Sequence, residues 1–235
     1  MNEHISSAYD RDLEGITTLI VKMGGLVEEA ILKAAKSLAD RDVELADEVR
    51  AGDKVIDALE IQINEEAART IALRAPVSKD LRSVLTVLRL AASLERIGDY
   101  AKNIAKRTSV VVEMNPVSGS DAALRRMARE VERMLKDTLD AYVRGDAELA
   151  EDVRQRDQEV DQMYNALFRE FLTFMMEDPR NITACMHLHF MAKNIERMGD
   201  LTTNMAEQVI YLVTGEMPDE ARPKSDKTAF VTDPG

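Results

Sequence analysis

The stretch Leu94-Glu95-Arg96-Ile97-Gly98-Asp99 returns almost unchanged 101 residues later as Ile195-Glu196-Arg197-Met198-Gly199-Asp200. Each copy continues as Glu-Arg-x-Gly-Asp-x-x-x-Asn, ending at Asn103 and Asn204. Such a recurrence marks one module written twice. On a helix, residues i and i+4 lie one above the other, so Glu95 and Asp99 point the same way, as do Glu196 and Asp200. At helical period, Leu81, Leu85, Leu88 and Ala92 form an apolar stripe that Glu95, Asp99 and Asn103 continue. Acids that only keep a helix soluble belong on the opposite face. Two acids on a packing stripe need a cation, or their burial is costly.

The repeat reaches beyond this motif. At an offset of 104 residues, Val27-Glu28 matches Val131-Glu132, Asp42 matches Asp146, and Leu45-Ala46 matches Leu149-Ala150. Asp53-x-x-x-Asp57 matches Asp157-x-x-x-Asp161 at the same offset, which shortens by three before Pro179. Each half therefore carries acidic pairs at four-residue spacing on its second and third helices.

The predicted fold is all-α, two tandem three-helix bundles related by the internal repeat. The first three-helix repeat occupies 1–114 and the second 121–214, and 215–235 reads as a loosely held tail without apolar periodicity. Helices are expected at roughly 9–39, 43–73, 79–112 and 121–143, with two more on either side of Pro179. Asn115-Pro116-Val117-Ser118-Gly119-Ser120 reads as the linker between the halves. Asp178-Pro179 reads as a helix cap followed by Pro at the first position, and Ser78 as the matching cap in the first half.

Composition narrows the function. A net charge of −12 argues against a binder of nucleic-acid backbones, and the absence of Trp argues against a base-stacking platform. No run of about 18 apolar residues suggests a membrane span. The single Cys185 cannot form an internal disulfide, in keeping with a reducing compartment. Cys185 and Phe174-Met175-Met176 read as core filling. His187 and His189 do not share a helix face, and His189 reads as a core histidine on the stripe of Glu196. No phosphate-cradling Gly loop, Ser-His-Asp set or Cys-x-x-Cys pair occurs, so the chain is not expected to be an enzyme. A ferritin-type oxidase would need Glu-x-x-His pairs, which are missing.

Antiparallel second and third helices, joined by a short turn at Pro76, bring Asp53 and Asp57 to the level of Glu95 and Asp99. An oxygen-rich seam of that kind suits a multivalent cation. The alternative is that the acids pair with basic side chains, for which Arg50, Arg82, Arg89, Arg96 and Lys102 are available. Gly98 and Gly199, each costing about 1 kcal/mol inside a helix, point to close approach by a neighbour. Arg96 and Arg197 lie near the stripe edge, where they either orient the carboxylates or pair at the surface.

The doubled Glu-Arg-x-Gly-Asp motif and the Met23-Gly-Gly-Leu-Val-Glu-Glu-Ala stretch resemble the PhoU family of phosphate-signalling regulators, over nearly the whole chain except the tail. The resemblance implies a cytoplasmic negative regulator of the phosphate-starvation response, a homodimer. It implies partners as well: the ATPase subunit of the high-affinity phosphate transporter and a sensor histidine kinase. Some members hold multinuclear iron or other metal clusters on acidic pairs of this spacing. Carried over by position, the expected metal ligands are Asp53, Asp57, Glu95 and Asp99, and Asp157, Asp161, Glu196 and Asp200, with iron or zinc as the expected metal. A purely structural scaffold without functional metal is the competing reading.

Overall fold

The computed structural model describes residues 2–218, with side chains from Tyr9 onward. Six long helices follow one another: α1 (Asn2–Ala39), α2 (Val43–Arg74), α3 (Lys79–Val111), α4 (Ser120–Arg144), α5 (Ala147–Glu177) and α6 (Ile182–Thr214). A 3-10 turn, Pro179–Asn181, separates α5 from α6. No strand occurs among the described residues. The expected tail lies outside them from residue 219 onward; Gly215, in the left-handed region at φ 88°, closes α6 through its N–H to Tyr211 O.

Local chemistry sets the turns. Asp42 caps α2 by accepting from Leu45 N at 2.9 Å, and its repeat equivalent Asp146 caps α5 by accepting from Glu148 N and Leu149 N. Asp178 caps the 3-10 turn by accepting from Arg180 N, with Pro179 at the first position, as expected. Ser78 does not cap α3. Ala75 and Ser78 both take positive φ (45° and 51°) to reverse the chain around Pro76, and the Ser78 side chain makes no cap bond.

Each half is a three-helix bundle, but the two share a core. α1 packs on α2 and α3, α4 packs on α5 and α6, and across the halves α1 packs on α4 and α3 on α6. These cross-half contacts join repeat-equivalent helices, as a two-fold relation between the modules requires. Glu28 and its equivalent Glu132 meet there, and burial followed by the Glu132 charge raises the Glu28 carboxyl pKa. One continuous apolar cluster runs from Ile16 on α1 to Val209 on α6, with α2 and α5 laid on its outer flanks. The linker expected between the halves is packed down rather than loose. Val117 is buried, Ser120 Oγ donates to Val117 O at 2.8 Å, and Arg41 of the α1–α2 turn donates to Val112 O and Met114 O.

The α3 stripe is set differently from expectation. Its buried residues include Val84, Val87, Leu90, Ala91, Leu94, Ile97, Gly98 and Ala101, whereas Leu85, Ala92 and Asn103 are exposed. α3 has α1, α2 and α6 against it, so its buried arc is broad and the Leu81–Leu85–Leu88–Ala92 row falls on the rim. Glu95 and Asp99 lie on that rim, half-buried, at the edge of the α2–α3 seam.

Gly24 and Gly25 test this packing. A Cβ at Gly24 would collide with Leu139 across the α1–α4 contact, while a Cβ at the exposed Gly25 would meet open space. Gly24→Val is expected to lower the unfolding free energy by about 1–3 kcal/mol through overpacking. Gly25→Ala is expected to raise it by about 0.5–1 kcal/mol through helix propensity. Urea denaturation followed by circular dichroism measures both.

Candidate metal seams

The buried face of α2 reads Ala46, Val49, Asp53, Ile56, Leu59, Ile63, Ala67 and Thr70. Asp53 thus takes a core slot between Val49 and Ile56, and only 3% of it is exposed. The equivalent slot on α5 holds Asp157, at 2%. A glycine on the facing helix stands beside each slot, and the neighbour it chiefly makes room for is apolar. A Cβ at Gly98 would lie 3.1 Å from Ile56 Cδ1 and 3.8 Å from Asp53 Oδ1. A Cβ at Gly199 would lie 3.3 Å from Val160 Cγ1 and 3.5 Å from Asp157 Oδ1. The recurring glycine of the motif therefore answers to close helix approach, as its position suggested.

In the first half, all four expected acids act on one another. Lys102, one turn beyond Asp99, donates from Nζ to Asp53 Oδ2 across the seam and to Asp99 Oδ1 at 3.2 Å. Asp53 has its pKa raised by burial, opposed by the Lys102 contact and reinforced by Asp57 and Asp99. Glu95 has its pKa raised by burial and then by Asp99, Glu60, Asp57 and Asp53. Glu60, half-buried one turn past Asp57, is a member of this group that the motif did not predict. It is outside both duplicated pairs, although the three-residue step from Asp57 was there to read. Lys102 has its own pKa raised, foremost by the hydrogen bond to Asp53.

In the second half, Asp157, Asp161 and Glu196 are all buried, and Asp200 is half-buried. Thr203 Oγ1 donates to Asp157 Oδ1 at 3.2 Å, and Lys193 Nζ lies 2.9 Å from Glu196 Oε1. All four acids carry polar or electrostatic interactions. His189 is stacked on Tyr164 and tilted against Phe168 and Phe190, with burial lowering its pKa. Arg96 and Arg197 are both exposed, and Arg197 lies over the Tyr100 ring at 5.9 Å, reaching to the other half.

Among the described residues, no three His, Cys, Asp or Glu side chains close on one point as an assembled metal site would. The donor chemistry of the first seam nevertheless fits a cation. Asp53 Oδ1 is buried without a hydrogen-bond partner among the described residues, and the surrounding donors are all carboxylate oxygens, which suit hard ions.

The seam makes a pH prediction. A carboxyl whose folded pKa is raised holds its proton more tightly in the fold, so its ionisation destabilises the fold above that pKa. Glu95→Gln in chelator should therefore melt higher than the parent at pH 7, by roughly a degree or two. The difference should shrink as pH falls through the folded pKa of Glu95 and vanish below the ordinary value of 4.5. Thermal melts at stepped pH measure it.

Comparison with known proteins places these features in a family. A family profile described as PhoU domain matches residues 20–108 and again 124–209, one match in each half. The chain is 46% identical over 226 residues to the phosphate-specific transport system accessory protein PhoU homolog of Caulobacter vibrioides (strain NA1000 / CB15N), spanning 96% of this chain and 98% of that one. It is 46% identical over 233 residues to the like-named protein of Rhizobium meliloti (strain 1021), spanning 96% and 95%. The crystal structure of PhoU from Pseudomonas aeruginosa matches the fold with a TM-score of 0.86 at 38% identity, covering 88% of this chain and 100% of that one. The phosphate transport system regulatory protein PhoU from Streptococcus pneumoniae matches with a TM-score of 0.83 at 31% identity, covering 90% and 100%. A twice-matched profile and the same fold over nearly its whole length establish that this chain belongs to the PhoU family.

Proposed function

We propose that this chain is a regulatory accessory protein of phosphate transport that keeps the phosphate-starvation response off when phosphate is plentiful. The observation that carries this reading is 46% identity, over nearly the full length, to relatives named as phosphate-specific transport accessory proteins. It acts by protein contacts in the cytoplasm, as a homodimer, between the ATPase subunit of the phosphate transporter and a sensor histidine kinase. Two features support contact rather than direct phosphate capture. The net charge of −12 repels free phosphate, and no Gly-rich phosphate loop occurs. Among the described residues, no helix is long and apolar enough to cross a membrane.

The acid seams are the proposed metal sites, with Asp53, Asp57, Glu95 and Asp99 in one and Asp157, Asp161, Glu196 and Asp200 in the other. Oxygen-only donors suit iron better than zinc, whose sites favour nitrogen and sulfur. A bound cation would neutralise the acids and tie α2 to α3 and α5 to α6. Asp53 and Asp157 supply the buried donors from the outer helices, beside Gly98 and Gly199. The seams so fixed set the shape of the surface that partners read. The scaffold reading without metal keeps one specific support, the Lys102 ammonium between Asp53 and Asp99.

Deleting the gene should leave phosphate-starvation genes on in high phosphate, measured by transcript level. The variant with all eight acids changed to Asn and Gln should retain its helicity, bind no metal by elemental analysis, and lose repression. Normal repression by that variant would favour the scaffold reading, and unchanged phosphate control after deletion would overturn the regulatory one.

A further inference from the structure

The two seams differ in where they carry a lysine. Counting by the 101-residue repeat, Lys102 on α3 corresponds to Thr203 on α6. Both side chains donate to the core carboxylate of the outer helix, Lys102 to Asp53 and Thr203 to Asp157. One brings a full positive charge, the other a neutral hydroxyl that also donates to Gly199 O at 3.0 Å. The second seam has a lysine too, Lys193 at Glu196, but its repeat equivalent in the first half is Ala92. The basic residue at Lys102 is thus particular to the first seam.

We propose that the Lys102 ammonium is the resident counter-cation of the first seam, and that it and a bound metal ion exclude one another there. The inference rests on the metal reading above and deepens it. Lys102 takes one oxygen of each of two expected ligands, Asp53 Oδ2 and Asp99 Oδ1. A cation held by the same carboxylates would share those oxygens with an ammonium, and two like charges on one pair of oxygens oppose each other. The lysine is built to leave. Its side chain is 41% exposed, whereas that of Asp53 is 4% exposed and fixed in the core. Asp53 Oδ1, buried and without a hydrogen-bond partner among the described residues, is a donor the ammonium does not use. Withdrawal of Lys102 to solvent would leave Asp53 with both oxygens open to an ion. The first seam then exists in two states, one closed by its own lysine and one open to metal.

The test uses Mn(II) as the probe on the full chain in which Asp157, Asp161, Asp200 and Glu196 are changed to Asn or Gln, so that only the first seam can bind. Lys102→Thr installs the residue of the second seam, and Lys102→Arg keeps the charge. Binding is read by loss of the free Mn(II) electron paramagnetic resonance signal and by calorimetry. Lys102→Thr is expected to tighten Mn(II) binding about tenfold or more, with Lys102→Arg close to the parent. In chelator, Lys102→Thr should melt below the parent, and Mn(II) should raise its melting temperature more than the parent's. Should the fourfold background fail to fold, single Lys102→Thr in the native chain gives the same readout as a gain in the affinity of one site class. Equal Mn(II) affinity with Lys102 or Thr in this background, or Mn(II) binding by the native chain alone, overturns the proposal and leaves the metal reading standing. Absence of Mn(II) binding in every variant and in the native chain overturns both.

Discussion

A carboxylate set in a core slot of a helix dictates much of what surrounds it. Asp53 and Asp157 occupy positions where the heptad-like pattern of α2 and α5 calls for an apolar side chain. Each is nearly buried, so each needs a donor and room for one. Gly98 and Gly199 on the facing helix stand beside them, where an added Cβ would press on Ile56 and Val160. The donor comes from one turn further on, Lys102 in one half and Thr203 in the other. The Gly-Asp portion of the motif therefore reads as a single device. The glycine admits the apolar neighbour of the buried carboxylate, and the aspartate beside it adds a second carboxylate at the seam.

The device is held by an arrangement in which α2 and α5 lie outside and the repeat-equivalent pairs α1–α4 and α3–α6 lie inside. The central helices share one apolar core, so a strain at either seam bears on helices that reach into the opposite half. α3 and α6 each carry their seam on one side and each other on the other side. The tie from Arg41 to the linker, together with the buried Val117, makes the connection between halves part of the packed body. Such a body suits a protein read by its surface, because the arrangement of its helices is fixed as a unit.

Duplication has been followed by divergence in charge and burial. Three of the four second-half acids are buried, against one of four in the first half. The lysines sit at opposite ends of the motif, Lys102 after Asp99 and Lys193 before Glu196. Lys102 reaches Asp53 on the neighbouring helix, while Lys193 meets Glu196 on its own helix and lies over the Tyr164 ring of α5. Equivalent carboxylates thus meet different electrostatic environments on a common backbone. The eight acids alone do not describe the seams.

What the sequence by itself determined was local and periodic. Helix extents, the Asp178 cap and the doubled module followed from spacing, because capping and four-residue alignment act within a single helix, and the motif's resemblance pointed to the family. Tertiary structure decided everything that depends on a neighbour. The α3 stripe moved from the Leu85–Ala92 row to the Val84–Ala101 face because three helices pack against α3, and its own periodicity records only relative angle. Glu60 joined the first seam and Arg197 turned away to Tyr100, since long side chains choose partners by reach. Ser78 lost its expected cap to the backbone geometry that reverses the chain at Pro76. Lys102 was one of five cations that could have met the acids. Only the approach of α2 to α3 placed its ammonium on Asp53, because that contact joins residues 49 positions apart through space.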